Sequence, residues 1–476
     1  MENNALFAHG GGRSRVLIVG GGFAGFTCAH ELEKRLGPDD AELLLVSPTD
    51  YLLYSPLLPE VAAGTIDPRH IAVPLHGHLR RTRVVLGYAV GVNLEARTLT
   101  VASPDEPADG TRREVGWDRL VLAPGAVTRT FPIPGLEEKA RGFKTLAEAL
   151  YLRDHILKQL DCADASDDEA ERRARLTFVV VGAGYAGTEF AAQAQLFAKR
   201  ALRNYPSLRP GEMRWLLVDI APRVLPELGE HLGEVSLRVL SERGIEIRLG
   251  ASVESITERG LTLSDGTFAP TYTLVWCAGA AASPLVSTLG LPLQRGRLVV
   301  DEYLAVAGRL DVFALGDCAA VPDLTRPGQI TPPTAQHALR QGRTAARNVA
   351  ASLGRGRWRS YRHNDLGLVV DLGAKDAAAK PLGVELSGVV AKVVTRAYHL
   401  YALSSTPQRV RVGLDWVLDA VLPRPLVRLG IGKEEDAPLA AAEHTDIYED
   451  LAAAPESGAT VADSEKHEKS YPQENL

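Results

Sequence analysis

The chain carries one supersecondary unit twice, and that repetition limits its fold more than any other feature. An apolar run from Arg15 to Val19 opens into Gly20-Gly21-Gly22-Phe23-Ala24-Gly25, followed by a helical pattern (FTCAHELEKRL) and a second apolar run, ELLLV, at 42–46. About 160 residues later, LTFVVV at 176–181 opens into Gly182-Ala183-Gly184-Tyr185-Ala186-Gly187, then TEFAAQAQLFAKRAL, then RWLLVD at 214–219. A strand, a GxGxxG turn, a helix and a second strand make a dinucleotide-binding βαβ unit. A lone GxGxxG arises for steric reasons; two copies in the same strand–helix setting are far harder to obtain by chance. In each copy the first glycine, Gly20 or Gly182, permits the tight turn. The second, Gly22 or Gly184, lets a pyrophosphate approach the backbone, and the third, Gly25 or Gly187, lets helix close on strand. The helix N-terminus then offers free N–H groups and partial positive charge.

Such a unit normally closes its second strand with an acid for the ribose hydroxyls. Asp219 fills that position in the second copy and favours NADH over NADPH, although Arg214 and Arg223 flank the strand. In the first copy the position is Ser47, with Asp50 three residues on, so a hydroxyl stands where the usual anchor is missing. A third signal is LDVFALGDCAAVP at 310–322, a strand ending in Gly316-Asp317. Alone it reads either as a turn with an Asp N-cap or as a flavin site holding ribityl and phosphate oxygens. After two dinucleotide units it favours FAD.

Composition narrows the class. With 476 residues, 45% hydrophobic and 24% charged, the chain can form two or three domains, each with its own core. Residues 431–476 hold 12 acidic and 3 basic side chains, leaving 50 basic against 47 acidic before them, so no nucleic-acid footprint is expected. That tail has few large apolar side chains and is expected to be disordered. Cys28, Cys162, Cys277 and Cys318 form no CxxC or CxxxxC pair. A disulfide scaffold and a Cys-rich metal site are therefore not expected, and a reducing compartment fits. The stretch MENNALFAHGGGRSR lacks the apolar core of a signal peptide, and no apolar run is long enough to span a bilayer. The default expectation is a cytoplasmic protein.

Taken with DRLVLAPGA (118–126) and TLVWCAGA (273–280), these motifs resemble the two-dinucleotide-binding flavoprotein superfamily, whose first unit holds FAD and whose inserted second unit holds NAD(P)H. Pro124 stands where that superfamily usually has Thr. Its disulfide reductases carry a CxxxxC or CxxC that is missing here, so no internal dithiol relay is expected. Four further stretches resemble the type II NADH dehydrogenases, the single-subunit NADH:quinone oxidoreductases, and in particular their actinobacterial branch. These are YLLYSPLLPEVAAG (51–64), TPPTAQHALRQG (331–342), YRHNDLGLVVDLG (361–373) and LSGVVAKVVTRAYHLYAL (386–403). The resemblance runs from about residue 14 to 430.

The resemblance implies an α/β protein with two Rossmann-like dinucleotide-binding domains. The FAD domain is discontinuous, at about 13–145 and 288–375, and the NAD domain is inserted at about 146–287, with a membrane or dimer segment at 376–430. Contacts to FAD and NADH are expected from Gly20, Gly22, Phe23, Ala24, Gly25, Ser47, Pro124, Gly125, Asp317, Gln336 and His337. In the second domain they are expected from Gly182, Gly184, Tyr185, Ala186, Gly187, Glu189, Asp219, Ala278 and Gly279. In the family the AQxxxxQ helix aims its N-terminus at the isoalloxazine, and Gln336 and Gln341 line the quinone pocket. Pro332 and Pro333 suit a helix start. Glu189 either complements a helix dipole in its first turn or lies near nicotinamide and flavin, orienting the amide or tuning proton traffic. His337 is either a proton donor to reduced quinone or an inert lining residue.

A quinone dissolves in lipid, so the enzyme must reach a bilayer surface. Val410, Gly413, Leu414, Val417, Leu418 and Val421 recur at helical spacing, with Arg411 and Asp415 on the other side and Trp416 near the edge. Residues 392–428 hold six basic and two acidic side chains. This describes either a helix lying in an anionic membrane surface or one that packs in a core or homodimer. The expected function is non-pumping transfer of a hydride from NADH to FAD and of two electrons to a quinone such as menaquinone, on the cytoplasmic face of the membrane. The alternatives are another acceptor, of the sulfide:quinone or ferredoxin type, and a redox-sensing flavoprotein.

Overall fold

A computed structural model describes residues 12–105, 110–363 and 366–430, together with Pro438, Leu439 and Ile447. Its frame is a pair of five-stranded parallel sheets. In the first, Ser14–Val19 lies at the centre between Ala41–Ser47 and Arg119–Leu122, with Arg83–Leu86 and Val312–Ala314 at the edges. In the second, Thr177–Val181 lies between Arg214–Asp219 and Thr273–Trp276, with Ile245–Leu249 and Arg141–Gly142 outside. The central strands VLIV and FVVV are buried along their whole length, as parallel strands covered on both faces must be. The edge strand Val312–Ala314 returns to the first sheet after the chain has completed the second.

Helix α1 (Phe23–Arg35) follows the first glycine turn, and a short helix α2 (Leu58–Ala62) lies in the stretch after the first sheet's second strand. Helix α3 (Tyr185–Ala201) follows the second glycine turn. Helix α4 (Ala335–Ser352) packs along α1 at a crossing that only glycine permits: a Cβ on Gly342 would lie 2.5 Å from the Ala24 carbonyl oxygen. Two further helices, α5 (Gly388–Ala402) and α6 (Thr406–Val421), follow α4. The sequence GLTLSDGTF forms a hairpin, with Gly260–Leu263 paired to Phe268–Pro270 and Gly266 in the left-handed region. The polar stretch at 163–173 takes in the end of a helix over Leu146–Ala165 and most of a second over Glu169–Arg175, which the Asp168 carboxylate caps.

The acidic tail expected to be disordered lies outside the described residues except at three positions. Of these, Leu439 is buried, its N–H donating to the Ala140 carbonyl, and Ile447 packs against Val90 and Ala102.

The α1–α4 crossing gives a direct test. Gly342→Ala forces a backbone shift and is expected to cost about 1–3 kcal/mol. Gly413→Ala in α6, where an added Cβ meets no atom within 4 Å, is expected to stabilise by about 0.5–1 kcal/mol. Thermal melting of the two variants checks both.

Candidate active site

The two glycine turns repeat each other in atomic detail. A Cβ on Gly25 would overlap the Gly20 carbonyl oxygen, and one on Gly187 would overlap that of Gly182. Gly20, at φ +100, also presses on the Ala123 carbonyl, and Gly182, at φ +110, on the Cys277 carbonyl. Both contacts fall just before a left-handed glycine, Gly125 after Pro124 and Gly279 after Ala278. The middle glycines differ from the other two in the same way: a Cβ on Gly22 or Gly184 meets nothing within 4 Å. Each is the N-cap of its helix, without a side chain capping the exposed N–H groups. Phe23, Ala24, Tyr185 and Ala186 open those helices. These are two concave backbone cradles suited to a pyrophosphate.

Ser47 is buried at the first cradle, where its Oγ lies 2.6 Å from a Cβ placed on Gly21. Asp219 holds the second cradle in shape, one carboxylate oxygen accepting from Ala183 N–H and the other from Ala221 N–H at 2.7 Å. Arg214, which could have drawn in a 2′-phosphate, is committed to Glu246 through two hydrogen bonds of 2.8 Å. Asp317 sits at the first sheet's edge strand, its acidity weakened by burial and partly restored by Lys144 and Arg297. The residues present therefore fit FAD at the first cradle and NADH at the second.

The AQxxxxQ helix shows a division of labour that the sequence did not reveal. Its N-cap is Thr334, so Pro332 and Pro333 precede the helix rather than start it. Gln336 is half-buried and donates to the Gly367 carbonyl at 2.7 Å. Gln341 is turned inward instead of lining an open pocket. It is 1% exposed, accepts from Gly316 N–H at 2.7 Å and donates to Thr331 Oγ1 at 3.1 Å, which ties the Gly316-Asp317 turn to α4. His337 is also buried, with Nδ1 2.7 Å from the Tyr361 hydroxyl and its ring stacked on His363.

Glu189 lies beyond the first turn of α3 rather than within it, and is buried. Its Oε1 accepts from Asp371 N–H at 2.6 Å. The Asp371 carboxylate in turn grips the Lys392 ammonium of α5, with Nζ 2.6 Å from Oδ2. Glu60 of α2 completes the group: its Oε2 accepts from the Trp416 indole at 2.7 Å, while its Oε1 is buried without a partner. Three carboxyl groups thus share one sealed ammonium. Desolvation, and then the nearby Asp371 charge, pushes Glu60 up to about 7. Burial likewise raises Glu189 well above the carboxylate range, opposed by the Asp371 N–H bond. Beside them His399 is held neutral, pushed down to about 4 by burial, with Nδ1 3.1 Å from the Tyr54 hydroxyl. Glu60, Asp371, Lys392 and His399 had not been singled out in the sequence. The one available signal was a lysine set inside the apolar run GVVAKVV.

Two expectations about α6 need correction. Trp416 lies on the inward face of the helix, buried over Glu60, because its indole N–H needs an acceptor there. The basic excess of this region is largely spent inside the molecule: Lys392 on Asp371, Arg424 on Asp419, and Arg396 over the Trp416 ring.

The sheets, the paired cradles and the open middle glycines define an oxidoreductase with two dinucleotide sites. A family profile described as pyridine nucleotide-disulphide oxidoreductase matches residues 14–342. The chain is 33% identical over 425 residues to the type II NADH:quinone oxidoreductase NdhA of Mycobacterium tuberculosis, covering 85% of this chain and 87% of that protein. It is 31% identical over 424 residues to the demethylphylloquinone reductase NdbB of Synechocystis, covering 87% and 97%. In fold it is similar to the structure of NDH2 from Plasmodium falciparum in complex with NADH, with a TM-score of 0.80 at 19% identity over 87% of this chain and 99% of that one. The chain belongs to the type II NADH:quinone oxidoreductase family within the pyridine nucleotide-disulphide oxidoreductases.

Because the middle glycines have empty space beside them, valine there blocks a ligand and leaves the fold intact. Gly22→Val is expected to purify without flavin, read as absorbance near ~450 nm per polypeptide. Gly184→Val is expected to keep its flavin and lose NADH binding in a fluorescence titration.

Proposed function

We propose that the protein oxidises NADH and delivers the two electrons to a quinone dissolved in a membrane, with menaquinone as the class of substrate. One observation carries the reading. Helix α3, which begins at the second cradle, delivers Glu189 into the same buried charge cluster as Lys392 and the Glu60–Trp416 pair, whose partners stand on the helices bearing the exposed apolar face. The charge cluster thus lies between the helix that starts at the second cradle and the helices that carry the exposed apolar face, its two halves coupled through their charges.

FAD, when bound, supplies the redox chemistry, accepting hydride and passing electrons on. The protein's own task is set by stoichiometry. NADH, a proton and a quinone give NAD⁺ and a quinol, so one proton per turnover must come from outside the hydride. Carboxyl groups whose grip on a proton is strengthened by burial, as at Glu189 and Glu60, can hold that proton in a dry site. The thiols of Cys28, Cys277 and Cys318 are all pushed up by burial. These three buried thiols are poor sulfide-handling nucleophiles, which disfavours a sulfide-linked reaction that runs through them.

On α5 and α6, Val390, Val393, Val410, Leu414, Val417 and Leu418 are each at least half exposed. No helix among the described residues is long and apolar enough to cross a membrane. This face suits shallow seating on the cytoplasmic leaflet, and continuation of the face supports a homodimer on the same helices.

Rapid turnover of NADH with a short-chain quinone is the expected result; reduced flavin persisting in the presence of quinone would sink the reading. Glu189→Gln is expected to slow quinone reduction about 10²-fold while leaving NADH affinity unchanged. Leu414→Asn with Val417→Ser and Leu418→Asn should release the protein from anionic vesicles in a flotation assay.

Glu60 also leaves a mark on stability. Its folded affinity for a proton exceeds the unfolded one, so the native state binds more protons between pH 4.5 and about 7. Its contribution therefore falls as pH rises through that window and is flat above it. Wild type is expected to lose stability relative to Glu60→Gln between pH 5 and 8, followed by thermal melting.

A further inference from the structure

At the end of the first domain's fold remote from the α4 N-terminus, the last turns of α1 and α4 meet the loop that follows α4. The pocket between them has a volume of about 840 Å³ and is lined by Lys34, Arg35, Arg347, Arg355, Arg357 and Arg359. Such a volume lies within the ~300–1,000 Å³ of small-molecule sites. The loop turns through Gly354 and Gly356, both in the left-handed region, and every second residue from 355 to 359 contributes an arginine to the wall.

Two carboxylates stand near these six cations. Glu31 takes Lys34 at 2.9 Å and Arg35 at 3.1 Å, and Asp40 takes Arg355 at 2.6 Å. The guanidinium groups of Arg347, Arg357 and Arg359 meet no carboxylate among the described residues. Basic residues commonly complement the negative end of a helix, which accounts for Lys34 and Arg35 in the last turn of α1. It does not account for Arg347, which precedes the last turn of α4, or for Arg357 and Arg359, which lie beyond its end. Concentrating so many like charges around one hollow raises their mutual repulsion, and a multiply charged anion relieves it.

We propose that this pocket is an anion site, separate from both nucleotide cradles, that takes a short chain of linked phosphates. The lining also says what the ligand lacks. Ala350 is the sole apolar side chain in the wall, and the nearby Trp358 stacks inward on Phe313 and meets Tyr303 edge-on. No aromatic side chain lines the pocket to receive a base, so a nucleotide gains nothing over inorganic polyphosphate of equal charge. No large exposed apolar side chain belongs to the pocket, which separates it from the lipid-seating face on α5 and α6.

The test is titration calorimetry on the flavin-loaded protein at 0.15 M salt with NAD⁺ saturating the second cradle. The probes are inorganic phosphate, pyrophosphate, tripolyphosphate, ATP and anionic lipid vesicles. Affinity is expected to rise from phosphate to tripolyphosphate, with ATP no tighter than tripolyphosphate. Combining Arg347→Ser, Arg357→Ser and Arg359→Ser should weaken tripolyphosphate by about tenfold or more and leave NADH:quinone turnover unchanged. A control carrying Arg112→Ser, Arg203→Ser and Arg259→Ser, all exposed elsewhere, should bind as wild type does. The proposal is overturned if the pocket variant binds tripolyphosphate as wild type does, if the control weakens it equally, if phosphate binds as well as tripolyphosphate, or if only vesicles bind.

Discussion

The two nucleotide units are held by contacts of backbone on backbone. In each nucleotide unit the third glycine sits directly on the carbonyl of the first, and the first leans on the carbonyl at the end of a neighbouring strand. No side chain fits at either place. The helix is thereby drawn down until its uncapped end faces the hollow above the sheet, and the middle glycine leaves that hollow open. Strand order, helix placement and the opening of each cradle all follow from this contact. The chain makes it twice, so the geometry that fixes one cofactor fixes the other. Gly342 extends the principle by letting α4 lie against α1 at backbone distance, which sets the second wall of the first site.

Against that apolar frame the molecule buries an unusual amount of charge. A lone carboxylate in such surroundings would be prohibitive. Here the cost is reduced in two ways: Asp371 is paired with Lys392, and the other two acids are pushed toward their neutral forms. Breaking a buried pair by removing one partner is generally far more damaging than replacing both, so the Asp371–Lys392 contact constrains the surrounding residues. Groups poised between charged and neutral are what proton-coupled chemistry requires, and the three helices that supply them approach from different parts of the chain.

Much of this was legible in the sequence because it depends on local rules. Glycine spacing, strand hydrophobicity and the period of α6 each report a backbone requirement that no distant residue can alter. Val410, Leu414 and Val417 accordingly share an exposed face of α6. Trp416 was not legible in this way, because whether an indole faces lipid or core depends on an acceptor, Glu60, that lies 356 residues away in the chain. The hydrogen bonds of Gln341 were hidden for the same reason: its partners Gly316 and Thr331 meet it only after the sheet has formed. Lys392 looked like one more surface cation until Asp371 was brought beneath it. Long-range polar pairing is invisible to periodicity, and the buried cluster consists of little else.

The indole bond from Trp416 to Glu60 has one more implication. It is a strut running from an outer helix to an acid with a split personality, and Lys392 forms a parallel strut from the adjoining helix. Because both struts end at the buried charge cluster, a displacement of those helices changes how tightly the acid keeps its hydrogen ion. Thermodynamic reciprocity then requires that gain or loss of that ion bias the position of the helices by an equal free energy.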